Sequence, residues 1–324
     1  MLRAAPLIRY LSLRVLQAVI VVWLAYTITF VAMQFLPSDP ITVMLSSDTA
    51  VDPLVIEQMK SYYGFDKPPI VQYGTQLLNL LSGNFGYSIA SGQTVDERIG
   101  SVISGTLALS GLALLFATII SAVIVSVVNL SGWGTFSRWF ANLPPLFSAI
   151  PTFWLGLVVL QVFSVQLRWI SLFPDGSALS LVVPALVLGI PISAPIAQVY
   201  LKSIETVLAQ PFVGVVRAKG GSRSWVFFRH VLKSGAGPAL TVLGLTTGHL
   251  LAGSVIVETV FSRAGLGRIL LDAVNTQDVA MVQGLVLLAA VVFVAINLVI
   301  DLLYPLLDPR ILAEGLRSKK AGIA

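Results

Sequence analysis

The residues of this chain that could do chemistry are few, and most of them are basic and crowded together. Lys202, Arg217, Lys219, Arg223, Arg229 and Lys233 stand against the single acid Glu205 between Val199 and Gly235. Pro211 suits the first turn of a helix, where its missing N–H leaves no bond unmade. Phe212, Val215 and Val216 then fall on one face, Arg217, Ala218 and Lys219 follow, and the Gly220-Gly221 pair supplies a C-terminal stop. A second short helix is expected to open at Ser224 and to carry Trp225, Phe228 and Leu232 on its apolar side, with Arg229 and His230 on the same helix. The expected product is a helix–turn–helix knob with an apolar face and a basic rim. Its chemistry is docking, through apolar contact and charge pairing, onto something in the aqueous phase.

Catalytic chemistry has no comparable set of residues. The sequence contains no G-x-x-x-x-G-K-[ST] loop to cradle the phosphates of ATP, no H-E-x-x-H and no G-x-S-x-G, and its only histidines are His230 and His249. It has no cysteine, so this chain forms no disulfide, thiolate metal site or iron–sulfur cluster. No metal or cofactor site is expected on it. A solute pathway or gate would draw on His249, Glu258, Gln161 and Asn297. His249 is the only titratable residue well inside an apolar stretch. Its first reading is a helix-packing imidazole bonded to a neighbouring backbone, and its second is a substrate ligand; Gln161 and Asn297 carry the same two readings.

The elements that hold these residues are membrane spans. Hydrophobic residues make up 56% of the 324 and charged residues 11%, and mean hydropathy is +0.89, against the roughly one quarter charged of a soluble domain. Six stretches lack charge over the roughly 20 residues that cross a bilayer: about 15–36, 106–130, 140–165, 178–200, 235–257 and 282–300. The chain therefore reads as an all-α polytopic membrane protein of six transmembrane helices. The first stretch follows Arg3, Arg9 and Arg14 but is too long for a secretory h-region and meets no small-x-small cleavage site, so it reads as a retained span. With the N-terminus inside, residues 1–14, 131–139, 199–235 and 301–324 carry 14 of the 20 bases and four of the 15 acids. That asymmetry places both termini in the cytoplasm, and the net charge of +5 reflects topology rather than affinity for nucleic acid.

The expected organisation is a cytoplasmic N-terminus and first span over 1–36, an exterior loop or cap over 37–98, a five-helix core over 99–310 containing the basic loop 199–235, and a cytoplasmic tail over 311–324. The 37–98 segment holds a candidate amphipathic helix at 55–62 and is too long for a bare connection, which predicts a small ordered cap. Pro144, Pro145, Pro151, Pro184, Pro191, Pro195 and Pro238 punctuate the spans, as they do where helices bend around a water-accessible pathway. No internal repeat is visible and no Asp, Glu, Lys or Arg lies centrally in a span. Both features argue against an ion-coupled secondary carrier, which stays, with a stand-alone channel, as the alternative. A membrane-embedded enzyme or scaffold is the third reading.

Several strings, taken in order, resemble the permease subunits of dipeptide/oligopeptide/nickel-type bacterial ABC importers over nearly the whole chain. They are Leu36-Pro-Ser-Asp-Pro40, Tyr63-Gly-Phe-Asp66, Gln72-Tyr73, Gly83-Asn-Phe-Gly86, Ile150-Pro-Thr-Phe-Trp-Leu155, Arg217-Ala-Lys-Gly220, Arg229-His230, Val257-Glu-Thr-Val-Phe261, Gly265-Leu-Gly267 and Asn297 to Arg310. Members often have Leu where this chain has Gly221. The resemblance implies the type I importer permease fold in a bacterial inner membrane and a coupling helix over 211–220. It also implies partners: a sister permease subunit, two ATP-binding subunits that hold ATP and Mg, and an external solute-binding protein, with membrane lipid around them. Peptides are the implied cargo, with nickel or a metal chelate as the alternative.

Overall fold

Hydrocarbon offers no partner to a peptide N–H or C=O, so a spanning segment must satisfy its backbone internally, as a helix does. The computed structural model describes residues 4–35, 54, 57, 60, 61, 64, 66–88, 90–131 and 134–307. In chain order its helices are α1 (Ala4–Gln34), α2 (Pro69–Leu81), α3 (Val95–Leu130), α4 (Gly134–Ala141), α5 (Leu143–Ala149), α6 (Thr152–Gln166), α7 (Leu179–Leu208), α8 (Pro211–Ala218), α9 (Arg223–Val260), α10 (Leu266–Asn275) and α11 (Val279–Leu307). Among the described residues there is no strand, only an isolated antiparallel bridge between Tyr87 and Thr94. Of the candidate helix at 55–62, Glu57, Lys60 and Ser61 are helical; the rest of it, Leu36-Pro-Ser-Asp-Pro40 and the 311–324 tail lie outside the described residues.

Five of the six predicted spans are single apolar helices long enough to cross a bilayer. The predicted span 140–165 is not. It is a bent pair, residues 134–149 and then α6, turning by 100°. The break follows from Pro151. A proline pushes the residue before it out of the helical region, and Ile150 is extended, with ψ 119°. Each arm is about 24 Å or less at 1.5 Å per residue, short of the hydrocarbon core, so only the two together make a span.

The chain packs as two units, each with its own core. One comprises 1–106 and 264–294, the other 107–263 and 295–324. In the first, Tyr26 and Phe30 of α1 pack on Tyr73 of α2 with ring centroids 5.1 and 5.3 Å apart. Val95, Ile269, Ala273, Met281, Val282 and Leu285 form its buried cluster. A loop held by the Tyr87–Thr94 bridge docks there through the buried Asp278.

In the second unit α7 is the central helix. Leu109, Ala113 and Ala117 of α3 meet Ala185, Leu188, Ile192 and Ile196 of α7 and Leu250 and Val257 of α9. Close approach depends on small residues: a Cβ at Gly189 would stand 2.7 Å from the Ala113 carbonyl oxygen. α7 also carries Pro184, Pro191 and Pro195 without breaking. Pro184 has no N–H to give the carbonyl of Ser180 one turn earlier, and the Arg263 guanidinium donates to that carbonyl instead. In the loop before α7, the hydroxyl and N–H of Ser177 bond Asp175 and hold its carboxyl below the usual range.

Candidate functional site: a basic helical knob

α8 forms as the sequence predicts and its end is fully capped. Gln210 is extended, Pro211 sits in the first turn, and Gly220 takes the left-handed conformation with φ +88°. The Gly220 N–H donates to Arg217 O at 2.9 Å and the Gly221 N–H to Val216 O at 3.2 Å, the paired bonds of a Schellman ending. A Cβ at Gly221 would stand 2.9 Å from Val226 Cγ2 and 3.0 Å from Val216 O. The departure from Leu at this position therefore goes with a tight seat between the end of α8 and the start of α9.

The second half of the knob differs from expectation. The helix opens before Ser224, capped by Ser222, whose hydroxyl accepts from the Trp225 N–H. It is no separate short helix but the first turns of α9, which continues to Val260 through a π turn at Phe227–Val231. The buried face is Val226, Phe227 and Val231, while Trp225 and Phe228 are exposed. The extra residue of a π turn shifts the register, so a face counted at 3.6 residues per turn is offset after it.

The same exchange occurs on α8. Val213 is its buried anchor, set with Val125, Ile204, Val207, Val226, Phe227 and Val231 in one cluster. Phe212 and Val216 lean on that cluster from its edge, whereas Val215 is 55% exposed. The free apolar surface is therefore supplied by Val215, Trp225 and Phe228 rather than by Phe212 and Val216. Ala218 is exposed with them. Sequence reasoning passed over Val213, although Val213 and Val216 are spaced three apart as one helical face; which face turned inward required the neighbouring helices.

The charges sort into tethered and free. Arg223 donates to the Asn129 carbonyl, and Lys202 pairs with Glu205 at 3.0 Å on the surface. Arg217, Lys219, Arg229 and Lys233 are exposed. The result is a cationic, partly apolar surface on a rigid root.

The other candidate residues are spread over three helices, with His249 and Glu258 both on α9. His249 is exposed on α9, on the stripe it shares with Thr241 and Leu245, and does not pack within this chain. Gln161 is exposed in the π segment that ends α6, Asn297 is half-buried on α11, and Glu258 is buried near the end of α9.

Comparisons with known proteins agree with this architecture. Residues 133–313 match the family described as binding-protein-dependent transport system inner membrane component. Residues 7–109 match the N-terminal family of binding-protein-dependent transport system membrane components. The glutathione transport system permease protein GsiC of Escherichia coli (strain K12) is 32% identical over 307 residues, 94% of this chain and 99% of the relative. The proteins of the same name from Shigella flexneri serotype 5b (strain 8401) and Shigella boydii serotype 4 (strain Sb227) match to the same extent. With five apolar helices, a sixth span broken at Pro151 and matches covering nearly its whole length, the chain belongs to the binding-protein-dependent transport system inner membrane components, the multi-pass permease subunits of bacterial ABC importers.

Proposed function

We propose that this chain forms half of the translocation pathway of an ATP-driven importer for glutathione or a related small peptide, and that α8 is its coupling helix. The observation that carries the reading is the exposed Val215, Arg217 and Lys219 on a helix rooted by Val213. Partner ATPase subunits bind ATP and Mg and do the hydrolysis; this chain receives their motion. Val213 of α8, Ile204 and Val207 of α7 and Val231 of α9 share one buried cluster. A close-packed cluster transmits displacement rather than absorbing it. A push on the knob is thereby carried into α7 and α9, the helices that would rock between outward and inward openings. His249 and Gln161, polar and exposed on two spans, would face the solute path, with Glu258 and Asn297 set behind it.

In the cell the knob and both termini lie in the cytoplasm, a sister permease completes the path, and an external binding protein delivers the solute. The peptide cargo is supported by the names of the relatives, with a nickel or metal-chelate cargo as the outcome that would displace it. The test is uptake in cells expressing the cognate system. Gly220→Pro and the paired Arg217→Glu/Lys219→Glu variants should insert normally and abolish ATP-driven uptake of labelled glutathione. Parental uptake by inserted variants would sink the coupling role. Because the sequence has no cysteine, Ser224→Cys gives a single thiol, which an impermeant reagent should reach only from the cytoplasmic side. Cargo is read by titrating the cognate binding protein with glutathione, dipeptides and a nickel chelate.

A further inference from the structure

Between the end of α8 and the first turns of α9 lies an open recess of about 590 Å³. Val216, Lys219, Gly220, Gly221, Trp225 and His230 line it, with Lys219 exposed. The Trp225 indole meets the His230 imidazole edge to face, ring centroids 5.0 Å apart. Nε2 of His230 is buried and has no hydrogen-bond partner. A buried ring nitrogen without a partner is an unmet hydrogen-bonding group, and the groups lining this recess do not supply one.

We propose that the recess receives a carboxylate side chain, Asp or Glu, of the partner ATPase subunit, held between the Lys219 ammonium and Nε2 of His230. This rests on the reading of α8 as the coupling helix and goes beyond it by naming the pocket, the donors and the chemistry of the group that enters. Charge selects a carboxylate over a neutral acceptor. Lys219 is exposed, Arg217 and Arg229 are exposed on the same two helical segments, and Glu205, the one acid of the loop, is already paired with Lys202. A carboxylate has lone pairs enough to accept from an ammonium and an imidazole N–H together. Trp225 packs against the His230 ring and is half in solvent, so its ring can move aside, a motion that is fast for exposed side chains. The Schellman ending at Gly220 and Gly221 fixes the backbone beside Lys219, and Lys219 and His230 line the same recess.

The experiment uses the assembled permease with its cognate ATPase subunits. His230→Phe keeps a ring and removes the donor, while His230→Gln keeps an N–H. Association of the ATPase, measured by titration against immobilised permease, should weaken about tenfold or more for His230→Phe and stay within about threefold for His230→Gln. Zero-length carbodiimide coupling of the unsubstituted complex should join Lys219 to an ATPase Asp or Glu, identified by peptide mass spectrometry. The second measurement stands even if His230→Phe does not fold. Parental association in His230→Phe, or cross-links at Lys202 and Lys233 with none at Lys219, would overturn the assignment. If the Arg217→Glu/Lys219→Glu pair still abolishes association in that case, the knob docks but not through this recess. Should the charge-reversed pair also associate normally, the coupling reading falls with it.

Discussion

Asp278 in the first unit and His230 in the second both carry a buried polar atom, and they are finished in opposite ways. The Asp278 carboxylate is 2% exposed. It accepts from the Ser88 hydroxyl at 2.5 Å, the Ala90 N–H at 3.4 Å and the Met281 N–H at 3.1 Å. The last of these caps α11 and the other two clasp the 86–95 loop. His230 Nε2 has no such partner, and the charges around it are exposed. A polar site closed by its own chain is a structural clasp. The one left open at His230 is where we propose that a partner's carboxylate enters.

The contrast can be broken at several points. Asp278→Ala removes a cap and leaves the Ser88 hydroxyl without its buried partner, a loss of about 2–4 kcal/mol. Thermal unfolding in detergent should show that loss, while ATPase association in the variant still folded at low temperature stays at the parental level. Gly189→Ala drives a methyl into the Ala113 carbonyl and should cost about 1–3 kcal/mol by overpacking, again in thermal unfolding. Ser222→Ala removes the side-chain acceptor at the start of α9 and should cost about 1 kcal/mol. It should also weaken ATPase association, because the wall that carries Trp225 loses its anchor. Glu205→Gln breaks an exposed pair and should change stability by less than about 0.5 kcal/mol. A larger change there would mean that the surface charges of the loop are coupled more tightly than their exposure implies.

The spans and the ends of α8 were legible because their causes are local. A proline in the first turn, a glycine able to take φ +88° and an uncharged run as long as a bilayer is thick each act over one segment. The inward face of the knob was not legible. Val213 rather than Val215 is buried, and the π turn at Phe227–Val231 rotates everything after it. The bend at Ile150-Pro151 was half visible, since the prolines could be read but not whether neighbouring helices would straighten the chain, as they do for α7. His249 read as a packing residue, and only the arrangement of the helices around α9 left it on an open face.

The sequence by itself determined that this is a charge-poor helical membrane protein, where α8 begins and ends, and that bases gather on one loop. Those properties follow from hydration, backbone sterics and the thickness of a bilayer, which act on a residue and its near neighbours. Only the tertiary structure decided that Arg263 would serve the carbonyl freed by Pro184, 83 residues from its acceptor, that Asp278 would meet Ser88 across 190 residues, and that His230 would be left waiting. Burial and hydrogen-bond satisfaction belong to pairs of surfaces, and a pair exists only once the chain has brought distant segments together.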